Sequence, residues 1–238
     1  MIQKAEKIII KRLILAVITM AVSSVSIAEY NPDEDNKAPL GELYKGDYGE
    51  LSVGLHLQNA TFIGANLWIG NAHTDLDDSW AEFSIEPSIK GALNLPGGSQ
   101  LYGEFSYLYG KSFGHDASGL SIGVESDPSA AMIEQGYVGW RSGDMFPSLG
   151  KNAIDISAGH QDYLLGSGFL LYDGGNDGGE RGAWWIGAKT AFKDTLIARI
   201  NIGDFKLEGF HLETRPRQAH RKSAYDGMNI EYQYEDLA

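Results

Sequence analysis

The stretch Ala183-Trp184-Trp185-Ile186-Gly187-Ala188-Lys189-Thr190-Ala191-Phe192 alternates between two kinds of side chain. Trp184, Ile186, Ala188 and Phe192 share one parity, and Lys189 lies on the other. After Lys193-Asp194 the alternation resumes as far as Glu213, with Leu196, Ala198, Ile200 and Ile202 opposite Arg199 and Asn201. Successive side chains of a strand point to opposite faces. The pattern therefore predicts two strands joined by a tight turn at 193–194, with one apolar face and one polar face.

This alternation is typical of two all-β architectures. In a soluble sandwich the apolar residues face a core, whereas in a transmembrane barrel they face lipid and the polar residues face a lumen. The alternation alone does not decide between them, so the decision depends on the N-terminus and on the lengths of the loops.

The N-terminus resembles a secretory signal peptide. Lys4, Lys7, Lys11 and Arg12 precede an apolar run, Leu13–Val25, which the small-x-small site Ser26-Ile27-Ala28 follows. The run is short for a membrane helix. We therefore expect residues 1–28 to be removed on export, and Glu29 to begin the mature chain. The segment 29–48 is polar and is expected to be a periplasmic lead-in without regular structure up to Lys45, ahead of a barrel domain over residues 49–238.

The composition restricts the function. The net charge of −13 argues against binding to nucleic acid, because phosphate affinity comes from Lys and Arg. The chain has no Cys, and its six His show no metal-type spacing, so no metal site and no cofactor are expected. The 30 Gly and 12 Tyr fit a sheet with many turns and interfacial aromatic residues.

Eight long strands can be read from the alternation. The first, Gly49–Gly70, is unusually long, and the others are expected at 80–95, 101–110, 131–142, 152–164, 184–192, 195–213 and 227–237. The connections at 71–79, 111–130, 165–182 and 214–226 are long, while those at 96–99, 143–151 and 193–194 are short or of medium length. Outer-membrane barrels separate short periplasmic turns from long external loops in this way. The fold class predicted is therefore an antiparallel transmembrane β-barrel in the bacterial outer membrane, in contact with its lipid.

The C-terminal residues leave the number of strands open. Outer-membrane barrels usually close on a strand that ends in an aromatic residue, and this chain ends in Glu235-Asp236-Leu237-Ala238. One interpretation is that the chain holds the first half of a larger barrel. The other is a complete small barrel with an unusual end.

Several short stretches resemble the alginate export family of outer-membrane barrels. They are Glu134–Trp140, Ile156–Gln161, Gly166-Ser167-Gly168, Arg181–Trp185 and the Phe192–Thr195 turn, within a resemblance that covers roughly Trp80 to Glu235. His160 departs from the pattern, because porins often carry Arg at that point. The resemblance implies passive export of an anionic polysaccharide such as alginate through a lumen lined with basic residues. The basic lining residues that it implies here are Lys189, Arg199 and Lys206.

Two groups of residues are candidates for solute binding. The pore-lining candidates are Glu82, Lys90, Glu104, Glu134, Lys189, Arg199 and Lys206. Their cations either form a selectivity ring or pair with the carboxylates inside a plugged lumen, and the sequence leaves both open. The external anion-binding candidates are Arg215, Arg217, Arg221 and Lys222. Loops 111–130 and 166–182 are expected to gate the lumen.

The function expected is a channel for passive passage of a polar or anionic solute, not an enzyme. The alternatives are an outer-membrane barrel enzyme that acts on lipid or glycan, and a secreted β-sandwich binding protein. No Ser/His signature of the first is visible, and the second requires that the apolar parity be covered.

Overall fold

The computed structural model describes residues 39–69, 72–114, 127–175, 179–215 and 223–232. All of them belong to one of the two compact units of the chain, Pro39–Ala238. They form nine strands: β1 Pro39–Gly46, β2 Gly49–Ile69, β3 Ala72–Asn94, β4 Gln100–Phe113, β5 Ser129–Arg141, β6 Ile154–Gln161, β7 Phe192–Ile202, β8 Phe205–Glu213 and β9 Ala224–Tyr232. A single 3-10 turn, Pro96–Gly98, lies between β3 and β4. Within these residues, no helix has the length and apolar character needed to cross a membrane.

The nine strands form one antiparallel sheet in which the spatial order is the order of the chain. Each strand pairs with its neighbours in sequence, from β1 with β2 to β8 with β9. Within the described residues no pairing joins β1 to β9, so the sheet is not closed into a barrel. The prediction of an all-β antiparallel fold is confirmed.

Short and long connections lie at opposite ends of the sheet. At one end, here called the short-turn end, the connections are residues 47–48, 95–99, 142–153 and 203–204. At the other, the long-loop end, they are 70–71, 114–128, 162–191 and 214–223. The expected segregation of connection lengths is therefore present only in part. The connection 142–153, at the short-turn end, is longer than 214–223, and the long-loop end has only residues 70–71 in the β2–β3 hairpin.

That hairpin is longer than expected. The single long strand predicted over 49–70 is confirmed as β2, but residues 72–79, expected to be a loop, are the first part of β3. At about 3.3 Å per residue, β2 is roughly 70 Å long, well beyond the roughly 30 Å of a hydrocarbon core. A loop was predicted because residues 75, 77 and 78 are aspartates. The strand forms through backbone hydrogen bonds, which do not require apolar side chains.

The hairpin predicted around 193–194 is wrong. Residues 184–191 are turns and coil, and Lys193-Asp194 lies within β7. The turn between β7 and β8 is instead Gly203-Asp204, where Gly203 has a φ of 55°. A two-residue turn needs positive φ, which Gly supplies at low cost and Lys-Asp does not.

The lead-in is also partly structured. Residues 39–45, expected to lack regular structure, form most of β1, which pairs with β2 through a ladder with two register shifts. Residues 29–38 lie outside the described part of the chain.

Apolar side chains of the strands project from one face of the sheet, here called the outer face, and they are exposed. Examples are Leu55 and Leu57 of β2, Ile89 and Leu93 of β3, Leu101, Phe105 and Tyr107 of β4, Val138 of β5, Ile156 of β6, Leu196, Ile200 and Ile202 of β7, Leu207 of β8 and Ile230 of β9. Nothing among the described residues covers this face as a second sheet would.

The opposite, inner face is polar and largely buried. Its buried side chains include Glu82, Ser84 and Glu86 of β3, Ser106 and Ser112 of β4, Glu134 and Gln135 of β5, Ser157 of β6, Thr195 of β7 and Glu208 of β8. Glu134 and Gln135 point to the same face because of a register shift opposite Ser106, where the pairing passes from Phe105–Gly136 to Tyr107–Ile133. The inner face also carries a smaller set of buried apolar side chains, Leu108, Ile197, Phe210 and Leu212. The sheet is therefore apolar outside and mostly polar inside.

Candidate functional site

Residues 162–191, here called the crossing segment, cover the inner face between β6 and β7. The segment is not a strand because its backbone repeatedly leaves the extended region: φ is 69° at Gly182, 51° at Ala183 and 63° at Gly187. Ala183 is the exceptional residue, since a side chain with a Cβ rarely adopts positive φ. Of this segment, residues 176–178 are outside the described part of the chain.

Glu82 and Ser112 hold the central part of the crossing segment. The amide of Ile186 donates to Glu82 Oε2 at 3.0 Å, and the amide of Ala183 donates to Ser112 Oγ at 3.0 Å. Ser112 in turn donates to Glu82 Oε1 at 3.2 Å. Glu82 is only 1% exposed. A buried carboxylate needs such donors to offset the loss of water, so its presence fixes the path of the segment.

Glu134 holds the end of the crossing segment. Its Oε1 accepts hydrogen bonds from the amides of Thr190 and Ala191, both at 2.8 Å. Its Oε2 lies 3.2 Å from Nη2 of Arg215, an ion pair that lacks the alignment of a hydrogen bond. Both side chains are buried, Glu134 at 1% and Arg215 at 9% exposure.

This pairing overturns the prediction that Arg215 binds anions outside the membrane. Nη2 of Arg215 also donates to the carbonyl oxygen of Ile133 at 2.6 Å, and its amide donates to Gly174 at 2.9 Å. Its charge and donors are used internally. The other three members of that group, Arg217, Arg221 and Lys222, lie outside the described residues.

The first residues of the crossing segment are held by Glu208 and a small apolar cluster. Tyr163 donates from its hydroxyl to Glu208 Oε1 at 2.7 Å. Its ring packs with Phe192, Ile197, Phe210 and Leu212. Burial and the hydrogen bond to Glu208 raise the pKa of Tyr163 far above its usual range, so Tyr163 stays a donor at neutral and moderately alkaline pH.

A chain of polar side chains links the first part of the crossing segment to its last part. Gln135 donates from Nε2 to Asp162 Oδ2 at 2.7 Å, and Thr190 donates from its hydroxyl to Asp162 Oδ1 at 2.7 Å. On the sheet side, the amide of Gln135 donates to Ser106 Oγ, and Ser106 donates to Glu86. Several polar residues of the inner face therefore hold the segment directly: Glu82, Ser112, Glu134, Gln135 and Glu208.

The predicted cations do not form one ring. Lys189 is buried on the crossing segment rather than on a strand, and it donates to the carbonyl oxygen of Gly182. Arg199 forms an ion pair with Glu208, and Lys206 lies 3.8 Å from Glu231. Lys90 stands opposite Glu104 in the register of β3 and β4. Lys90, Arg199 and Lys206 thus lie beside carboxylates, whereas Lys189 is bound to a backbone carbonyl.

Of the predicted gate 111–130, residues 111–113 belong to β4 and 129–130 to β5, and the remainder is described only at its base. There the amide of Gly114 donates to Asp127 Oδ1 at 2.8 Å, and the amide of Asp127 donates to the carbonyl oxygen of Gly114 at 3.2 Å. Residues 115–126 lie outside the described part.

Four aromatic residues meet where the crossing segment reaches β2 and β3. Phe62 stacks on Trp80 with ring centroids 4.8 Å apart, and Trp185 lies 5.7 Å from Trp80. Trp184 meets Trp185 edge to face at 4.9 Å. This cluster was not predicted from the sequence, because Trp184 and Trp185 were expected to lie in a strand. Its signal was the adjacent pair of tryptophans, which cannot share one face of a strand.

Among the described residues there is no group of three or more His, Cys, Asp or Glu that could hold a metal ion. No protein-family model, curated protein or solved structure matches the chain.

Proposed function

We propose that this chain belongs to an outer-membrane β-barrel channel through which a polar solute diffuses passively. The observation that carries the proposal is the inverted distribution of side chains. Leu57, Leu93 and Val138 project into open space on the outer face, while Glu82 and Glu134 are buried on the inner face. Lipid is the environment in which such an outer face is favourable.

The alternative of a secreted β-sandwich fits this distribution poorly. A sandwich buries the apolar parity of each sheet against a second layer. Here the layer that covers the sheet, the crossing segment, lies on the polar parity instead. The signal peptide expected at residues 1–28 agrees with export, which an outer-membrane location requires.

We propose an anionic solute, a polysaccharide such as alginate being the one that the family resemblance implies. The inner face supports an anionic solute through three basic side chains near its short-turn end. Lys90 is exposed there, and Arg199 and Lys206 keep about a third of their side-chain surface exposed. Fixed charges along a lumen set the preference between anions and cations. The crossing segment would narrow the lumen and restrict the size of the solute.

The test is single-channel conductance of the refolded protein in a planar bilayer, first for the wild type and then for Lys90→Glu. Stepwise conductance with anion preference is expected, and Lys90→Glu should shift the reversal potential toward cation selectivity. Lys151→Glu makes the same change of charge in the exposed turn between β5 and β6, so it should leave the selectivity close to that of the wild type.

A folded, inserted protein that passes no current would contradict the channel. Equal shifts for the two variants would show that Lys90 does not face the path of the ions.

A further inference from the structure

The four aromatic residues Phe62, Trp80, Trp184 and Trp185, here called the aromatic cluster, differ in how far their side chains are exposed to solvent. Trp80 is 6% exposed and Phe62 is half-buried, whereas Trp185 is 42% exposed. Trp80 and Phe62 stand directly opposite each other in the register of β2 and β3, and both belong to the inner-face parity. The cluster therefore exposes the indole ring of Trp185 on the inner face of the sheet, where it packs against Phe62 and Trp80.

The backbone around the exposed ring is fixed on both sides. The Ala183 amide is bound by Ser112, and the Ile186 amide by Glu82, while the amide of Gly187 donates to the carbonyl oxygen of Trp184 at 3.1 Å. Ala183, directly before the two tryptophans, is held at a positive φ. Such strain persists where the surroundings over-determine a conformation. The Trp185 ring is thus held in place before any ligand arrives, which lowers the entropy lost on binding.

Polar side chains lie beside the aromatic rings. Gln58 of β2 approaches the carbonyl oxygen of Ile186 with its Nε2 at 3.5 Å, and its Oε1 accepts from Ser84 at 3.1 Å. A flat aromatic face next to amide and hydroxyl groups matches one class of small molecule. A pyranose ring has an apolar face of C–H groups, which carry partial positive charge, and a rim of hydroxyls. The negative face of an indole attracts the former, and the amide can hydrogen-bond the latter.

We propose that the aromatic cluster binds a pyranose ring of an oligosaccharide, which stacks on Trp185. The inference deepens the proposed function, since it identifies where a polysaccharide would contact the inner side. The stacking itself does not require that the protein conduct.

The test is isothermal titration of the folded protein in a detergent without a sugar headgroup, such as a dodecyl amine oxide. The probes are two hexasaccharides, neutral cellohexaose and a hexamer of mannuronic acid. At least one should bind, and Trp185→Ala should weaken that binding about tenfold, because the variant removes the stacking ring and its buried area.

Two further variants separate stacking from damage to the fold. Trp185→Phe keeps an aromatic face and should bind within about threefold of the wild type. Trp140→Ala removes a tryptophan of β5 that lies on the outer parity, opposite Leu101 and Ile156, and should leave binding unchanged. Circular dichroism of every variant checks that the sheet is intact.

The inference is overturned if neither hexasaccharide binds at millimolar concentration, or if Trp185→Ala binds as tightly as the wild type. Binding without conductance would support the sugar site at the aromatic cluster and contradict the proposed channel. Conductance without binding would do the reverse, so the two proposals fail separately.

Discussion

Glu134 is almost completely buried, and every group that compensates its charge comes from another part of the chain. Two amides of the crossing segment and the guanidinium of Arg215 surround it. Alternation placed the carboxylate on the polar parity, which was correct. It did not reveal the partner, because Arg215 is 81 residues away from Glu134 in sequence and sits in a run of basic residues that looks exposed.

Replacement of Glu134 by Ala should destabilise the protein strongly. The change leaves the Arg215 charge buried without its partner and leaves two amides without an acceptor. Loss of one member of a buried pair typically costs about 3–5 kcal/mol. Urea unfolding from detergent micelles measures the difference.

The matched control is Glu50→Ala on β2, where the carboxylate is exposed. That variant should unfold at nearly the urea concentration of the wild type. If both variants unfold together, the Glu134–Arg215 pair does not hold the crossing segment.

The crossing segment is the element whose path departs furthest from the sequence-based prediction. Residues 184–192 alternate as well as any strand of the chain, yet none before Phe192 is in the sheet. Alternation shows which side chains prefer polar or apolar surroundings. A loop that is hydrogen-bonded to the inner face can meet those preferences as well as a strand can. The positive φ of Gly182, Ala183 and Gly187 decides that the segment is a loop and not a strand. At Ala183 the residue type gives no sign of this conformation, because alanine rarely adopts it.

Gly182→Ala should loosen the crossing segment much more than Gly187→Ala. Both glycines have positive φ, so each Cβ adds roughly 1–2 kcal/mol of backbone strain. At Gly182 the new Cβ would also meet the carbonyl oxygen of Pro128 at 2.3 Å and the amide nitrogen of Ser112 at 2.8 Å, while at Gly187 nothing lies within 4 Å. Hydrogen exchange of the amides of 183–191 measures the loosening.

Faster exchange is expected in Gly182→Ala than in Gly187→Ala, with β8 unaffected in both. Equal exchange in the two variants would mean that contact with Pro128 and Ser112 does not position the segment.

At the scale of the whole molecule, the order of the sheet and the identity of its two faces could be predicted from the sequence. Strand parity and the positions of Pro96-Gly97-Gly98 and other turn residues were sufficient for β2, β4, β5 and β9 to be located. The boundary between β7 and β8 has a local signal in Gly203, which the prediction passed over. The covering of the inner face could not be predicted, because it depends on long-range contacts such as Gln58 with Ile186, which leave no local pattern.

The assignment of outer and inner faces predicts which tryptophans touch lipid. In variants that keep a single tryptophan, Trp140 on the outer parity should be quenched strongly by lipids brominated near the glycerol end of the acyl chain. Trp80, buried on the inner parity, should be quenched weakly. Fluorescence of each variant, reconstituted in brominated and in ordinary lipid, provides the comparison.

The two variants share one sheet and one reconstitution, so each is the control of the other. Strong quenching of Trp80 together with weak quenching of Trp140 would reverse the faces, and weak quenching of both would favour the soluble sandwich.

The strictly sequential order of the strands has a consequence for the kinetics of folding. Each hairpin brings together residues that are close in the chain, and such local pairing is fast. The crossing segment instead joins residues as far apart as Gln58 and Ile186, separated by 128 positions. Closure of so long a loop is slow, because its entropy is lost before any contact is gained. Refolding should therefore occur in two phases, with pairing of the strands ahead of docking of the crossing segment, and the carboxylates of the inner face should remain hydrated until the second phase.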